Sequence, residues 1–199
     1  MYDKIAADSR ISFGMFFKAK SVFTLRNVIV MGLMVAFTVI LSRFATIIIP
    51  PGQRVTFVYV PGVVVAALYG PWAALAFGFI SDFVKYISNP GNASLGAYNP
   101  LYGISDMVHY FIYACFLYRR MNTGFVNIII RAAIARLLVV AVVFFGLNYV
   151  WRSLEMGSVA SGFFTGIRLI LNLGLLPVHA FIIAYTCKLL GRVNKYTAN

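Results

Sequence analysis

The sequence predicts an all-α integral membrane fold with six transmembrane helices, two of them short, and both termini in the cytoplasm. Three observations carry that expectation. Of 199 residues, 61% are hydrophobic and only 11% are charged, with a mean hydropathy of +0.86. A soluble domain of this length could not hide so much apolar surface. The apolar residues gather into runs broken by Pro, Gly, Asn and charge. The basic residues divide unevenly between alternate loops, as they do in a chain threaded through a bilayer.

Residues 1–25 form a basic segment with Phe13, Met15, Phe16 and Phe17 among its polar residues. It reads equally as a short amphipathic helix on the membrane surface or as a cytoplasmic tail. The first helix is expected from Asn27 to Ile49. It is too long for a signal-peptide core and lacks a small-residue cleavage site, so it is read as retained. Pro50-Pro51-Gly52 stops it and opens a loop carrying Gln53 and Arg54. The second and third helices, about Val55–Tyr69 and Pro71–Ile87, meet at a Tyr69-Gly70-Pro71 corner. At 15 and 17 residues they reach about 22 to 26 Å, against roughly 30 Å of hydrocarbon. Short paired helices followed by the polar, aromatic loop Ser88–Asn99 suggest a cavity opening to one side of a bilayer.

The fourth helix is expected over Pro100–Leu117, the fifth over Phe125–Val150, and the sixth over Gly162–Leu190, with Pro177 inside it. Residues 26–190 thus form one membrane domain, and 191–199 a cytoplasmic tail. Six spans put both ends on one side. Lys4, Arg10, Lys18, Lys20, Arg26, Arg119, Arg120, Lys188, Arg192 and Lys195 share that side, while only Arg54, Lys85 and Arg152 lie opposite. The richer side is therefore cytoplasmic.

The acids are Asp3, Asp8, Asp82, Asp106 and Glu155, and His109 and His179 stand alone on different helices. No HExxH, GxSxG or Walker A pattern occurs. An enzyme is not expected, nor a metal, a cofactor or a nucleic-acid partner. Cys115 and Cys187 sit in apolar runs and read as buried small hydrophobes.

Arg43, Arg131 and Arg136 lie within apolar runs, where a charge is costly unless it is paired, hydrated or drawn to an interface. All three are expected to be interfacial. Arg168 differs, because it starts the sixth helix on the outer side and shares a helix face with Asn172 four residues on. With Arg54 it makes a basic outward vestibule that favours an anionic ligand. Tyr59, Tyr86, Tyr98, Tyr102, Tyr149 and Trp151 fall near outer helix ends. Singly, each fits an interfacial aromatic belt. As a group beside Asn99, Asn148 and Asn172, they suit a pocket for a flat polar ring. Asp82, closing the third helix, joins this candidate set. Gly32 and Ala36, four apart, give the first helix a small face for close packing on another helix.

Taken together these residues resemble the substrate-binding subunits (S components) of energy-coupling factor vitamin transporters, with the folate-type branch nearest. The resemblance runs from Thr24 onward. It rests on Gly32/Ala36, Ser42-Arg43-Phe44, Arg54 to Phe57 entering Val60-Pro61, Tyr69-Gly70-Pro71 and Ser81-Asp82. It continues through Asn99-Pro100, Asn148 to Trp151, and Arg168 to Asn172 with Pro177. It implies a multi-pass subunit of the bacterial plasma membrane that binds a vitamin, folate favoured, in an outward cavity. It also implies a transmembrane coupling subunit, contacted through Gly32 and Ala36, and two cytoplasmic ATPases that hydrolyse ATP for it. Loops at about Pro50–Arg54 and Ser88–Asn99 would gate the cavity. Cobalamin and pantothenate, served by relatives of similar length, remain alternatives. So does a structural membrane protein of cell-wall assembly.

Overall fold

The structure, a computed structural model of the chain, describes residues 24–44, 46–49, 53–88, 98–120, 123–156, 166 and 169–197. At 46–49, 53–56, 155–156 and 193–197 it describes the backbone alone. Most of the expected N-terminal segment, most of the Ser88–Asn99 loop and Arg168 lie outside the described residues.

Helix α1 spans Leu25–Phe44 and ends five residues before the expected Ile49. Thr46–Ile49 and Gln53–Thr56 instead pair as an antiparallel hairpin, β1–β2, with Thr46 opposite Thr56 and Ile49 opposite Gln53. The correction has a local cause. Thr46-Ile47-Ile48-Ile49 is a β-branched run, stiff at χ1 and better suited to a pleated strand than to a helix end.

Helix α2 covers Tyr59–Tyr69, so it starts four residues later than expected. It stops at Gly70, whose φ of 86° is left-handed and costs least for glycine. Pro71 then opens α3, Pro71–Ser88. Helix α4, Pro100–Leu117, begins at an Asn99 cap whose Oδ1 accepts from the Leu101 amide at 3.0 Å. Helices α3 and α4 form the most extensive pairing of the bundle. A Cβ placed on Gly78 would stand 2.7 Å from the Asp106 carbonyl oxygen, so this backbone approach requires glycine.

One continuous helix follows. It comprises α5, Phe125–Val139, a π-helical stretch, Val140–Leu147, and α6, Asn148–Met156. It passes the expected Val150 by six residues. Residues 169–174 are helical, and hydrogen bonds from the Leu175 and His179 amides to Leu171 and Leu175 carry the chain into α7, Leu176–Thr197. Helix α1 and the segment Phe125–Leu154 are each long and apolar enough to cross a membrane.

The core lies where α2, α3, α4, α5 and α7 converge. Ala66, Ala67, Ala73, Ala74, Ala114, Ala132, Ala135, Ala180 and Ala184 are buried there around Phe77, Tyr113, Ile128 and Ile183. Such small residues let helix backbones approach closely without a hydrophobic drive from lipid. Helix α1 packs on α2 and α3 but leaves Leu25, Ile29, Leu33, Phe37 and Phe44 exposed, an outer face suited to hydrocarbon.

Candidate ligand-binding site

Arg136 sits about 16 Å along its helix from Phe125, at 1.5 Å per residue, and is only 3% exposed. The interfacial role expected for it is corrected here. From mid-helix the side chain turns into the bundle. One guanidinium nitrogen donates to Asn172 Oδ1 at 2.6 Å and another to the Tyr113 hydroxyl at 3.4 Å. Its flat faces meet aromatic rings, with the Tyr59 centroid at 5.5 Å and the Phe144 centroid at 5.6 Å. Those contacts lie within cation–π range. Phe144 belongs to the π-helical stretch, whose wider turns change which side chains follow Arg136 on the inner face.

Among the described residues no carboxylate pairs with Arg136; the ion pairs there all belong to Lys85. Among the described residues its charge is met by neutral oxygens and ring faces. A buried cation held this way costs several kcal/mol in order of magnitude and favours an electron-rich or anionic group beside it. Further buried polar atoms lie within the bundle. Tyr59 packs on His179, ring centroids 4.9 Å apart, and His109 packs on Tyr113 at 5.3 Å. The Tyr59 hydroxyl, His109 Nε2, Arg136 Nε, Asn148 Oδ1 and both His179 ring nitrogens are buried and have no hydrogen-bond partner among the described residues. A set of donors and acceptors with this many open valences matches a heteroaromatic ligand better than a closed apolar core.

Helix α4 carries the row that extends this cluster. Ser105, His109 and Tyr113 are four residues apart, all buried, and therefore share one face. Ser105 Oγ accepts from Trp151 Nε1 at 3.0 Å, which ties α4 to α6.

A second polar group lies where α3 ends and α4 begins. Lys85 Nζ lies 2.7 Å from Asp106 Oδ2 and 3.6 Å from Asp82 Oδ1. The Tyr98 hydroxyl donates to Asp82 Oδ2 at 3.2 Å, and its ring sits near Phe83 and Tyr86, centroids 5.4 and 5.1 Å away. Burial, then the adjacent Asp82 carboxylate, pushes the Tyr98 hydroxyl up to about 12, so it stays a proton donor. The end of the Ser88–Asn99 connection is thereby pinned to α3.

The family model described as "ECF-type riboflavin transporter, S component" matches residues 22–156. The chain belongs to this family. A solved structure described as FolT bound with folic acid matches with a TM-score of 0.68 and 23% sequence identity, covering 81% of this chain and 92% of that one. No curated protein matches by sequence. The S component is accordingly a membrane-embedded transport subunit, not an enzyme.

The residues expected at the site of this S component divide into three sets. Tyr59, Asn172 and Trp151 join the Arg136 cluster or its α4 row, and Asn148, one turn before Trp151, has a buried Oδ1. Asp82, Tyr86 and Tyr98 join the Lys85 group, Asn99 caps α4, and Tyr102 is half-buried one turn into that helix. Arg54 lies opposite Ile48 in the hairpin, with its side chain, like all of Arg168, outside the described residues. Arg136, Tyr113, His109, His179 and Ser105 were missed. The four-residue spacing of Ser105, His109 and Tyr113 was the available signal.

Proposed function

We propose that this S component is the vitamin-binding subunit of an energy-coupling factor importer and that its vitamin is folate. The buried Arg136, held by Asn172 and Tyr113 between two aromatic faces, carries the proposal. Folate offers a flat pterin for the rings and open polar atoms, and carboxylates for positive charge. The fold shared with the folic-acid-bound protein supports the same ligand. Tyr59, Asn148, Trp151 and Asn172 contact the vitamin directly in this reading. Asp82, Tyr86, Tyr98, Asn99 and Tyr102 shape the approach to it, and Arg54 and Arg168 supply positive charge at the outer mouth.

In this reading the chain crosses the membrane six times with both termini in the cytoplasm of a bacterial cell, and the ligand enters from outside. A transmembrane coupling subunit docks on α1, where Gly32 and Ala36 are exposed and a Cβ on Gly32 would meet nothing within 4 Å. Two cytoplasmic ATPases complete the importer.

Riboflavin is the second reading, favoured by the description of the matching family model. Isothermal titration of the purified chain, without ATP, against folate, riboflavin, cobalamin and pantothenate tests both. Folate binding in the nanomolar to micromolar range is expected. Binding of riboflavin alone would transfer the assignment, and silence toward all four would end it.

A further inference from the structure

We infer that the end of the bundle opposite Lys85 carries a binding site for a phospholipid with an anionic headgroup. A groove of about 250 Å³ opens there, lined by Phe125, Tyr185, Lys188, Leu189 and Arg192. Phe181, Tyr185, Lys188 and Arg192 follow one another at spacings of four, three and four along α7, so they form one stripe. The Phe181 and Tyr185 rings stack at 6.4 Å with 11° between their planes, and Phe125 meets Phe181 edge-on at 6.1 Å. Phe181, Tyr185 and Leu189 are all exposed, at 55%, 54% and 42%.

The stripe changes from apolar to cationic toward the end of α7. Lys188 donates one hydrogen bond to the Thr123 carbonyl at 3.5 Å. That contact holds its ammonium at the groove mouth with two N–H bonds still to offer. Arg119 and Arg120 follow α4 at the same end of the bundle. The carboxylates whose side chains are described, Asp82 and Asp106, lie at the other end, beside Lys85. Lys188 and Arg192 therefore meet no carboxylate among the described residues. An aromatic floor that rises to two cations is complementary to an amphiphile, with an acyl chain along Phe181, Tyr185 and Leu189 and a phosphate between Lys188 and Arg192. A soluble anion would gain nothing from the floor. The inference rests on membrane embedding and is independent of which vitamin binds.

Native mass spectrometry of the purified chain tests it, with phosphatidylglycerol and phosphatidylcholine of identical acyl chains as probes. The wild type is expected to retain one phosphatidylglycerol in roughly tenfold preference. The Lys188→Gln/Arg192→Gln variant should lose the preference, and Lys188→Arg/Arg192→Lys should keep it. Equal retention of the two lipids by the wild type, or undiminished preference in the neutral variant, would overturn the site. Displacement by water-soluble glycerol phosphate at matched concentration would reduce it to a simple anion site and overturn the lipid assignment. An unchanged lipid preference combined with failure to assemble with the coupling subunit would reassign the groove to a protein partner.

Discussion

Arg136 and Asn172, 36 positions apart in the chain, are joined by a 2.6 Å hydrogen bond that closes the bundle between α5 and the helical turns preceding α7. The bond couples the only buried guanidinium among the described residues to the segment that follows Arg168. Asn172 restrains the cation, and among the described residues no carboxylate neutralises it. That combination lets the pair act on a ligand instead of only on each other.

Replacing either partner with alanine is expected to weaken folate binding about 10- to 100-fold, the range for hydrogen bonds to a charged group. The double replacement should cost less than the sum, because the two share one interaction. Arg136→Leu should leave the thermal midpoint of the ligand-free protein unchanged or raised, since it removes an uncompensated buried charge. Titration calorimetry and thermal unfolding of the same preparations check both statements.

Lys85 stands between two carboxylates. Lys85→Met leaves Asp82 and Asp106 facing one another without a cation and should destabilise the protein by about 2–3 kcal/mol, less than a fully buried pair would lose. Lys85→Met/Asp106→Asn should recover part of that loss. Detergent-solubilised thermal unfolding measures the difference; equal midpoints for the two variants would contradict it.

Gly78→Ala inserts a methyl group against the Asp106 carbonyl. Helices α3 and α4 must then separate, at about 1–3 kcal/mol. Because Asp106 rides on the displaced backbone, its contact with Lys85 should lengthen too. A lower unfolding midpoint, checked beside Gly32→Ala as a substitution into open space, is the expected result.

Tyr98→Phe removes the hydroxyl that donates to Asp82 but keeps the ring beside Phe83 and Tyr86. A loss of about 1 kcal/mol in stability is expected, with a larger loss for Tyr98→Ala. If the Ser88–Asn99 connection gates the ligand, stopped-flow release should quicken in the same order.

Helix α4 was legible to the residue because Asn99-Pro100 is a cap followed by proline at the first helical position, a local signal that tertiary contacts only reinforce. The hairpin was not. Thr46–Ile49 is as hydrophobic as the helix before it, and hydropathy alone does not distinguish a strand from a longer span. Arg136 was misjudged for a different reason. An arginine in an apolar run was weighed against the membrane boundary of its own helix, whereas its environment is made by Tyr59, Tyr113 and Asn172 on three other segments. Asn172 was singled out through its spacing to Arg168, and a hydrogen bond also joins it to Arg136 on α5. Helical periodicity identifies residues that share a face; it does not say which neighbouring segment that face meets.

The π-helical stretch between Arg136 and Asn148 has one more consequence. Each of its loops encloses an additional residue, so rewinding the same residues as ordinary α-helix would turn everything downstream by about 100°. Asn148 and Trp151 would then leave the inner wall with their identities intact. Ligand preference in such a helix can be rewritten by a change of phase, with no chemical group gained or lost at the contact surface.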